Sequence, residues 1–256
     1  RLTHSLEVAQ IARSLCRRLN LNEDLAEAIS LAHDLGHAPF GHAGEDGLKE
    51  SAGKYFEFNH NTHALRVLID LEQRYANFNG MNLTWEMLEG IAKHNGPQIG
   101  PNCKKENTNI ILLDYDQKYQ FQLADFASAE AQISSISDDI AYVSHDLDDG
   151  LRANLFNIED LKCLSLIGDI IKEKIKTYPN IAVSKILHES IRKLISIMIE
   201  DVFTQFTSNV KDNKINSVEE IRKLGKPLVS FSPNIELVNL ELKQFLHKRE
   251  IGRAHV

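Results

Sequence analysis

Cysteine is scarce in these 256 residues. Three thiols, Cys16, Cys103 and Cys163, lie far apart with no paired spacing. That excludes a disulfide framework or a thiolate zinc site and leaves reduced, structural thiols. Long apolar runs are also missing: the stretch Ile195 to Ile199 is among the longest, and a bilayer needs roughly 18 residues. No basic-then-apolar signal region opens the chain, so a soluble, cytoplasmic protein with no membrane partner is expected. Cations are in deficit, 29 Lys and Arg against 36 Asp and Glu for a formal net charge of -7. A general electrostatic grip on nucleic acid, single-stranded forms included, therefore has no support from charge. A local pocket of cations or a bound metal could still attract a small anion. Strand-like alternation is nearly absent, with Lys118 to Leu123 the one plausible case, so the expected fold is all-α.

What is present is helical periodicity and histidine. Thr3 can cap a helix carrying Leu6, Ile11, Leu15 and Leu19, and Asn22 a second one ending at Gly36, which makes a helical hairpin. A Gly, Pro and His-rich loop is expected over 36 to 47, followed by helices near 62 to 77 and 84 to 95. The stretch 98 to 116 has no clear period. Beyond it the pattern predicts helices over 128 to 149, 158 to 177, 181 to 207, 218 to 224, and from Ser232-Pro233 to about Lys248. Arg1 begins the chain in an already helical pattern, so a preceding segment is expected. The final IGRAHV (251 to 256) follows a helix abruptly and is read as a non-native tail outside the fold.

Five of eleven histidines, His33, His37, His42, His60 and His63, fall within 31 positions, with His4 upstream. The run AHDLGHAPFGHAGE (32 to 45) joins imidazole to carboxylate, the ligand types of a first-row divalent ion such as Mn²⁺, Fe²⁺ or Ni²⁺; oxygen ligands alone would suit Mg²⁺. His33 and Asp34 are adjacent and diverge by about 100° on a helix, so both reach one ion only if the helix end lies beside it. A lone His-Asp dipeptide would be a solvated helix end. Two more histidines, His37 and His42, around an apolar Ala38-Pro39-Phe40, with Glu45 beyond, argue against that. In the helix over 128 to 149, Ile133, Ile136, Ile140, Val143 and Leu147 form one apolar stripe, with Asp138, Tyr142, Asp146 and Asp149 on the opposite side. So many carboxylates on one helix repel each other, and a metal or ligand would relieve that.

The order His4, His33-Asp34, Asp138 resembles the H…HD…D signature of the HD-domain phosphohydrolases, an all-helical superfamily. Within it, RLTHSLEVAQIAR, AHDLGHAPFGHAGE, HNTHALRVL, GIAKHNGP and EAQISSISDDIAYVSHDLDDGLRANLF are similar to the dGTPase-like family of bacterial dNTP triphosphohydrolases. Weaker matches, PLVSFSP and ELKQFL, continue to about 246. The resemblance implies an HD-domain metal and nucleotide site over 1 to 157 and a C-terminal helical region, 158 to 250, packed on it as one unit. It implies one divalent ion (Mn²⁺, Mg²⁺, Fe²⁺ or Ni²⁺) held by His4, His33, Asp34 and Asp138. His42 and Glu45 match catalytic positions, with His37 and His60 as phosphate-side histidines. Arg1, Tyr142 and Asp146 match substrate-binding positions, the last two at the deoxyribose. Lys93 is a lesser phosphate candidate beside a helix end. His63 stands where relatives commonly carry Gln, which leaves its role open.

The implied reaction is water attack at the α-phosphorus of a dNTP, releasing a deoxynucleoside and inorganic triphosphate, in a homo-oligomer. His42 suits proton transfer because imidazole titrates near neutrality, with Glu45 three residues on to orient it and His60 as its rival. Two other readings stay open: an HD nucleotidase or phosphodiesterase, since the same metal shell serves any phosphoryl centre, and a non-catalytic nucleotide-binding module.

Overall fold

Side-chain caps set the helix starts. Asn22, Asn59, Thr84, Asn109, Ser128, Asn157, Ser217 and Ser232 each accept a hydrogen bond from a first-turn backbone N–H of the helix that follows, an arrangement worth about 1 kcal/mol per cap. The computed structural model describes residues 2–53, 58–103 and 109–249. Among them are α1 (Leu2–Leu19), α2 (Glu23–Ala32), α3 (Gly41–Ala52), α4 (His60–Arg66), α5 (Trp85–Ala92), α6 (Ile110–Tyr119), α7 (Ala129–Arg152), α8 (Ile158–Leu161), α9 (Ser165–Thr177), α10 (Val183–Asp212), α11 (Val218–Arg222) and α12 (Pro233–Lys248). A π-helical turn, Val67–Leu71, continues α4. The chain is all-α; the one β element among the described residues is an isolated bridge between Tyr75 and Phe78. None of these helices is long and apolar enough to cross a membrane.

Helix α7 is the axis, packing against α1, α2, α5, α10 and α12. Its stripe, Ile133, Ile140, Val143 and Leu147, is fully buried. It joins Val8 and Leu15 of α1 with Ile171 of α9, Val202 of α10 and Leu242 of α12 in one core. Residues on both sides of position 157 thus share that core. A second cluster, with Leu65, Ile91, Leu112 and Phe121, seats α4, α5 and α6. Three long-range polar ties bind the C-terminal region to α5 and α7. Arg222 meets Glu89 of α5 through Nε and Nη2, both at 2.8 Å. Lys243 meets Asp139 of α7 at 2.7 Å, and the backbone N–H groups of Leu228 and Val229 donate to Gln132 Oε1.

Several sequence expectations need correcting. Helix α1 begins at Leu2, so Thr3 lies inside it rather than capping it. Residues 36 to 47 are not all loop, because α3 starts at Gly41 and carries both His42 and Glu45. Three glycines within seven residues disguise that helix. The helix expected to reach position 77 ends with the π-helical turn at Leu71, and the one expected over 158 to 177 divides into α8 and α9. The region without a clear period contains α6, capped by Asn109. The one plausible strand, 118 to 123, does not form: α6 runs to Tyr119, and Gln120 and Gln122 turn through positive φ. The alternation there came from Phe121 and Leu123 dipping into the second core cluster. Arg1 and the 251 to 256 tail lie outside the described residues.

Candidate active site

The HD pair sits where α2 ends. His33 is the C-cap of α2, and its Nδ1 lies 2.6 Å from the carbonyl of Ser30. A carbonyl only accepts, so Nδ1 carries a proton and the Nε2 lone pair is turned the other way. That Nε2 is buried without a hydrogen-bond partner, 3.3 Å from Asp34 Oδ1 and 3.5 Å from Asp138 Oδ1. From α1, His4 places its Nε2 2.8 Å from Asp138 Oδ1. The ligand atoms of His4, His33 and Asp138 all lie within 4.8 Å of one another, and Asp34 closes the set through His33. An orphaned imidazole nitrogen, a fixed tautomer and two facing carboxylates fit a divalent ion. The electrostatics agree. Burial opposes charge on His33, yet Asp138, Asp34 and the Ser30 carbonyl outweigh it and raise its pKa to about 9. Burial likewise works against the Asp34 and Asp138 carboxylates, but the surrounding histidines hold both well below the usual range. A pocket that retains positive charge this strongly suits a cation.

Beside this quartet stands a second histidine group. His37 and His60 stack, with ring centroids 4.1 Å apart, and His42 meets His37 edge-on at 5.0 Å. The two groups touch where His37 Nε2 lies 3.1 Å from Asp34 Oδ1. Local sequence makes this possible. Phe40 adopts left-handed φ to launch α3. A Cβ at Gly36 would fall 1.9 Å from the His60 carbonyl and 2.3 Å from the Ala64 nitrogen, so glycine alone lets α4 bring His60 against the HD turn. Glu45 does not pair with His42 as expected. Glu45 Oε2 instead lies 2.8 Å from His60 Nδ1, while Oε1 receives Lys49 at 2.8 Å. Burial opposes the Glu45 charge, but His60 and Lys49 prevail and draw its pKa down to about 2.

One cavity of about 500 Å³ collects both groups: His4, His33, Asp34 and Asp138 line it with His37, His42 and His60, and it extends to Tyr142, His145 and Arg152. Its size is ordinary for a small-molecule site. Eight of the twelve expected site residues therefore line one cavity, and Glu45 stands behind them against His60. Asp146 is entirely buried and does not line the cavity. It contacts Tyr142, whose phenol is pushed far above its usual pKa first by burial and then by Asp146. Asp146 thus meets the cavity only through its contact with Tyr142. Lys93 is also corrected. Its side chain is fully buried, its Nζ meets Glu89 at 2.7 Å and the Phe126 carbonyl at 3.1 Å, and it does not line this cavity. Arg1 lies outside the described residues. His63 packs near Phe58 away from the cavity.

Two residues escaped the sequence reading. His94 lines the cavity, stacks on His33 at 5.0 Å and lies 3.4 Å from Asp138 Oδ2. The signal was in KHNGP: Lys93 stands four residues after Glu89 and is therefore inclined to pair with it, which turns the next residue, His94, to another face. His145 meets Glu7 at 2.7 Å and touches the His4 ring edge-on at 5.5 Å.

Residues 1–143 match the model of the HD domain. The chain is also similar to three curated deoxyguanosinetriphosphate triphosphohydrolase-like proteins. The one from Parvibaculum lavamentivorans is 45% identical over 97% of this chain and 63% of the relative. That from Bartonella quintana is 48% identical over 97% and 62%, and that from Rickettsia prowazekii 46% over 97% and 63%. The chain thus spans about 62–63% of the length of these relatives. With a matching domain model, the His4, His33-Asp34, Asp138 order realised in space and close similarity over nearly its whole length, this chain belongs to the HD-domain family and, within it, to the dGTPase-like proteins.

Proposed function

We propose that the chain carries the catalytic centre of a metal-dependent phosphohydrolase that cleaves deoxynucleoside triphosphates to a deoxynucleoside and inorganic triphosphate. The observation that carries this reading is the shared cavity, in which a cation-holding quartet, a three-histidine cluster and a tyrosine stand side by side. A divalent ion, when bound by His4, His33, Asp34 and Asp138, supplies Lewis-acid polarisation of a phosphoryl oxygen and orients water. His37 and His60 flank the path of a polyphosphate and offset charge growing on it. His94 and His4 brace the Asp138 carboxylate from both oxygens. Tyr142, held by Asp146, presents a flat phenol where a sugar would lie. A 2′-hydroxyl meets that ring unfavourably, which supports deoxy over ribo selection.

Proton transfer is assigned to His42, exposed on α3 at the cavity. A second reading places it on His60, favoured by the Glu45–His60 contact that fixes the His60 ring. Single alanine variants separate them: the residue that transfers the proton should lose about 100 to 10,000-fold in rate while retaining metal.

The reaction itself is tested by running it in ¹⁸O-labelled water. Attack at the α-phosphorus labels the released triphosphate. Label in the nucleoside would mean attack at carbon, and labelled monophosphate would assign the centre to a nucleotidase. A homo-oligomer, a cytoplasmic location and the identity of the ion (Mn²⁺, Mg²⁺, Fe²⁺ or Ni²⁺) belong to the same proposal, and native mass measurement with metal analysis tests the first and last.

A further inference from the structure

A second cavity, about 340 Å³, lies across the KHNGP turn from the first. His94 and Asn95 line both. Its other walls come from the start of α7 and from the PLVSFSP segment, whose role the active site does not explain. Pro97, Phe126, Ile136, Val229 and Phe231 make it apolar, and Ser135, Asp139 and Glu236 add hydroxyl and carboxylate oxygens.

Its charge decides what it can hold. The lining cation is Lys93, whose ammonium is tied to Glu89 and the Phe126 carbonyl. Asp139 is balanced by Lys243, and no ion pair is found for Glu236 among the described residues. A phosphate placed here would face carboxylates without an available donor cation, at a cost that burial increases. A planar, uncharged ring with N–H and O–H donors suits the apolar walls and acceptor oxygens. The volume is near the lower end for ligand sites, which fits one nucleoside and not a dinucleotide.

We propose that this cavity binds a deoxynucleoside, the uncharged product of the reaction, and that its occupancy is felt at the metal quartet. The choice of nucleoside among neutral heterocycles rests on the function proposed above. The coupling rests on two contacts: His94, on the shared wall, lies 3.4 Å from Asp138 Oδ2, and Asp139, in the cavity lining, adjoins Asp138 in sequence. A ligand pressing on the turn shifts both, and by linkage the effect is reciprocal.

The test is calorimetric titration of deoxyguanosine and deoxyadenosine into the chain, with and without a chelator, and into Asp138→Ala. Binding in all three is expected, because the second cavity needs neither metal nor Asp138. The Asp138→Ala arm reads binding without turnover, so failure of the catalytic reading leaves it interpretable. Ser135→Tyr, which fills the cavity, should weaken binding by about tenfold or more. Glu236→Lys, on the exposed rim, should instead admit the matching monophosphate. In turnover, the nucleoside should lower the maximal rate, an effect lost in Ser135→Tyr. Absence of binding, binding abolished by chelator, or binding unchanged in both Ser135→Tyr and Glu236→Lys with native helical spectra would overturn the proposal.

Discussion

Glu89→Gln is the substitution whose cost the structure defines most clearly. The carboxylate is wholly buried on α5 and receives three charge-assisted contacts: Arg222 Nε and Nη2 at 2.8 Å each and Lys93 Nζ at 2.7 Å. Glutamine keeps the shape but removes the charge, leaving an ammonium and a guanidinium buried together. Removing one partner of a buried pair typically costs 3–5 kcal/mol. Burial already draws the Lys93 pKa down, against the pull of Glu89, so Lys93 can shed its proton in the variant. The expected loss therefore lies at the lower end, about 3 kcal/mol. In a chain of this size that is a fall of roughly 10 °C in Tm. An exposed pair such as Arg17 with Glu23 should cost under about 1 kcal/mol when broken. Urea unfolding followed by far-UV circular dichroism reads both variants. The triad joins α11 to α5 just before His94, so Glu89→Gln should also weaken metal retention. A loss below about 1 kcal/mol, indistinguishable from the surface control, would refute the reasoning.

Three further outcomes are expected. Tyr142→Ala should narrow the preference for deoxy over ribo substrates by about tenfold or more, and Asp146→Asn should narrow it less; an unchanged ratio in both returns Tyr142 to packing. Glu45 has a pKa lowered in the fold to about 2 from 4.5. Its stabilisation is thus complete above pH 4.5 and disappears as pH falls from 4.5 towards 2, amounting to at most about 3 kcal/mol. Glu45→Gln should lack that acid limb relative to the parent in metal-free buffer, and identical pH profiles would contradict it. Burial, with Glu130 and Glu23, raises the Cys16 thiol to about 12, whereas Cys163 is exposed. A disulfide reagent at pH 8 should modify Cys163 and leave Cys16 untouched until denaturant is added; rapid native labelling of Cys16 would disprove its burial.

What could be seen in the sequence follows the range of the interactions. The cap at Asn22, the Ser232-Pro233 start and the apolar stripe of α7 are local, periodic signals, and they placed those helices within a few residues. The hairpin of α1 and α2, which returns His33 towards His4, was legible from local periodicity, whereas Asp138 joined them only through the resemblance, and its contact with His4 spans 134 positions. Helix α3 was hidden by glycines that its surroundings require: at Gly44 a Cβ would meet the Pro39 carbonyl at 1.8 Å. The Glu45–His60 contact spans α3 and α4, and Arg222–Glu89 joins residues 133 positions apart. No local period reports such pairs. Asp146 was read as the outer face of α7 because a helical wheel has no record of a helix buried on both sides. The C-terminal region looked bland for a related reason, since its work is done through partners in the other half of the chain.

The most direct test separates products by anion-exchange chromatography. The chain and its Asp138→Ala variant are incubated with each dNTP and rNTP, with Mn²⁺ or Mg²⁺ and with a chelator. Metal-dependent inorganic triphosphate and deoxynucleoside from dNTPs, absent with chelator and in the variant, is the expected result. Monophosphate as the product, or triphosphate released equally by Asp138→Ala, would contradict a dNTP triphosphohydrolase built on this quartet.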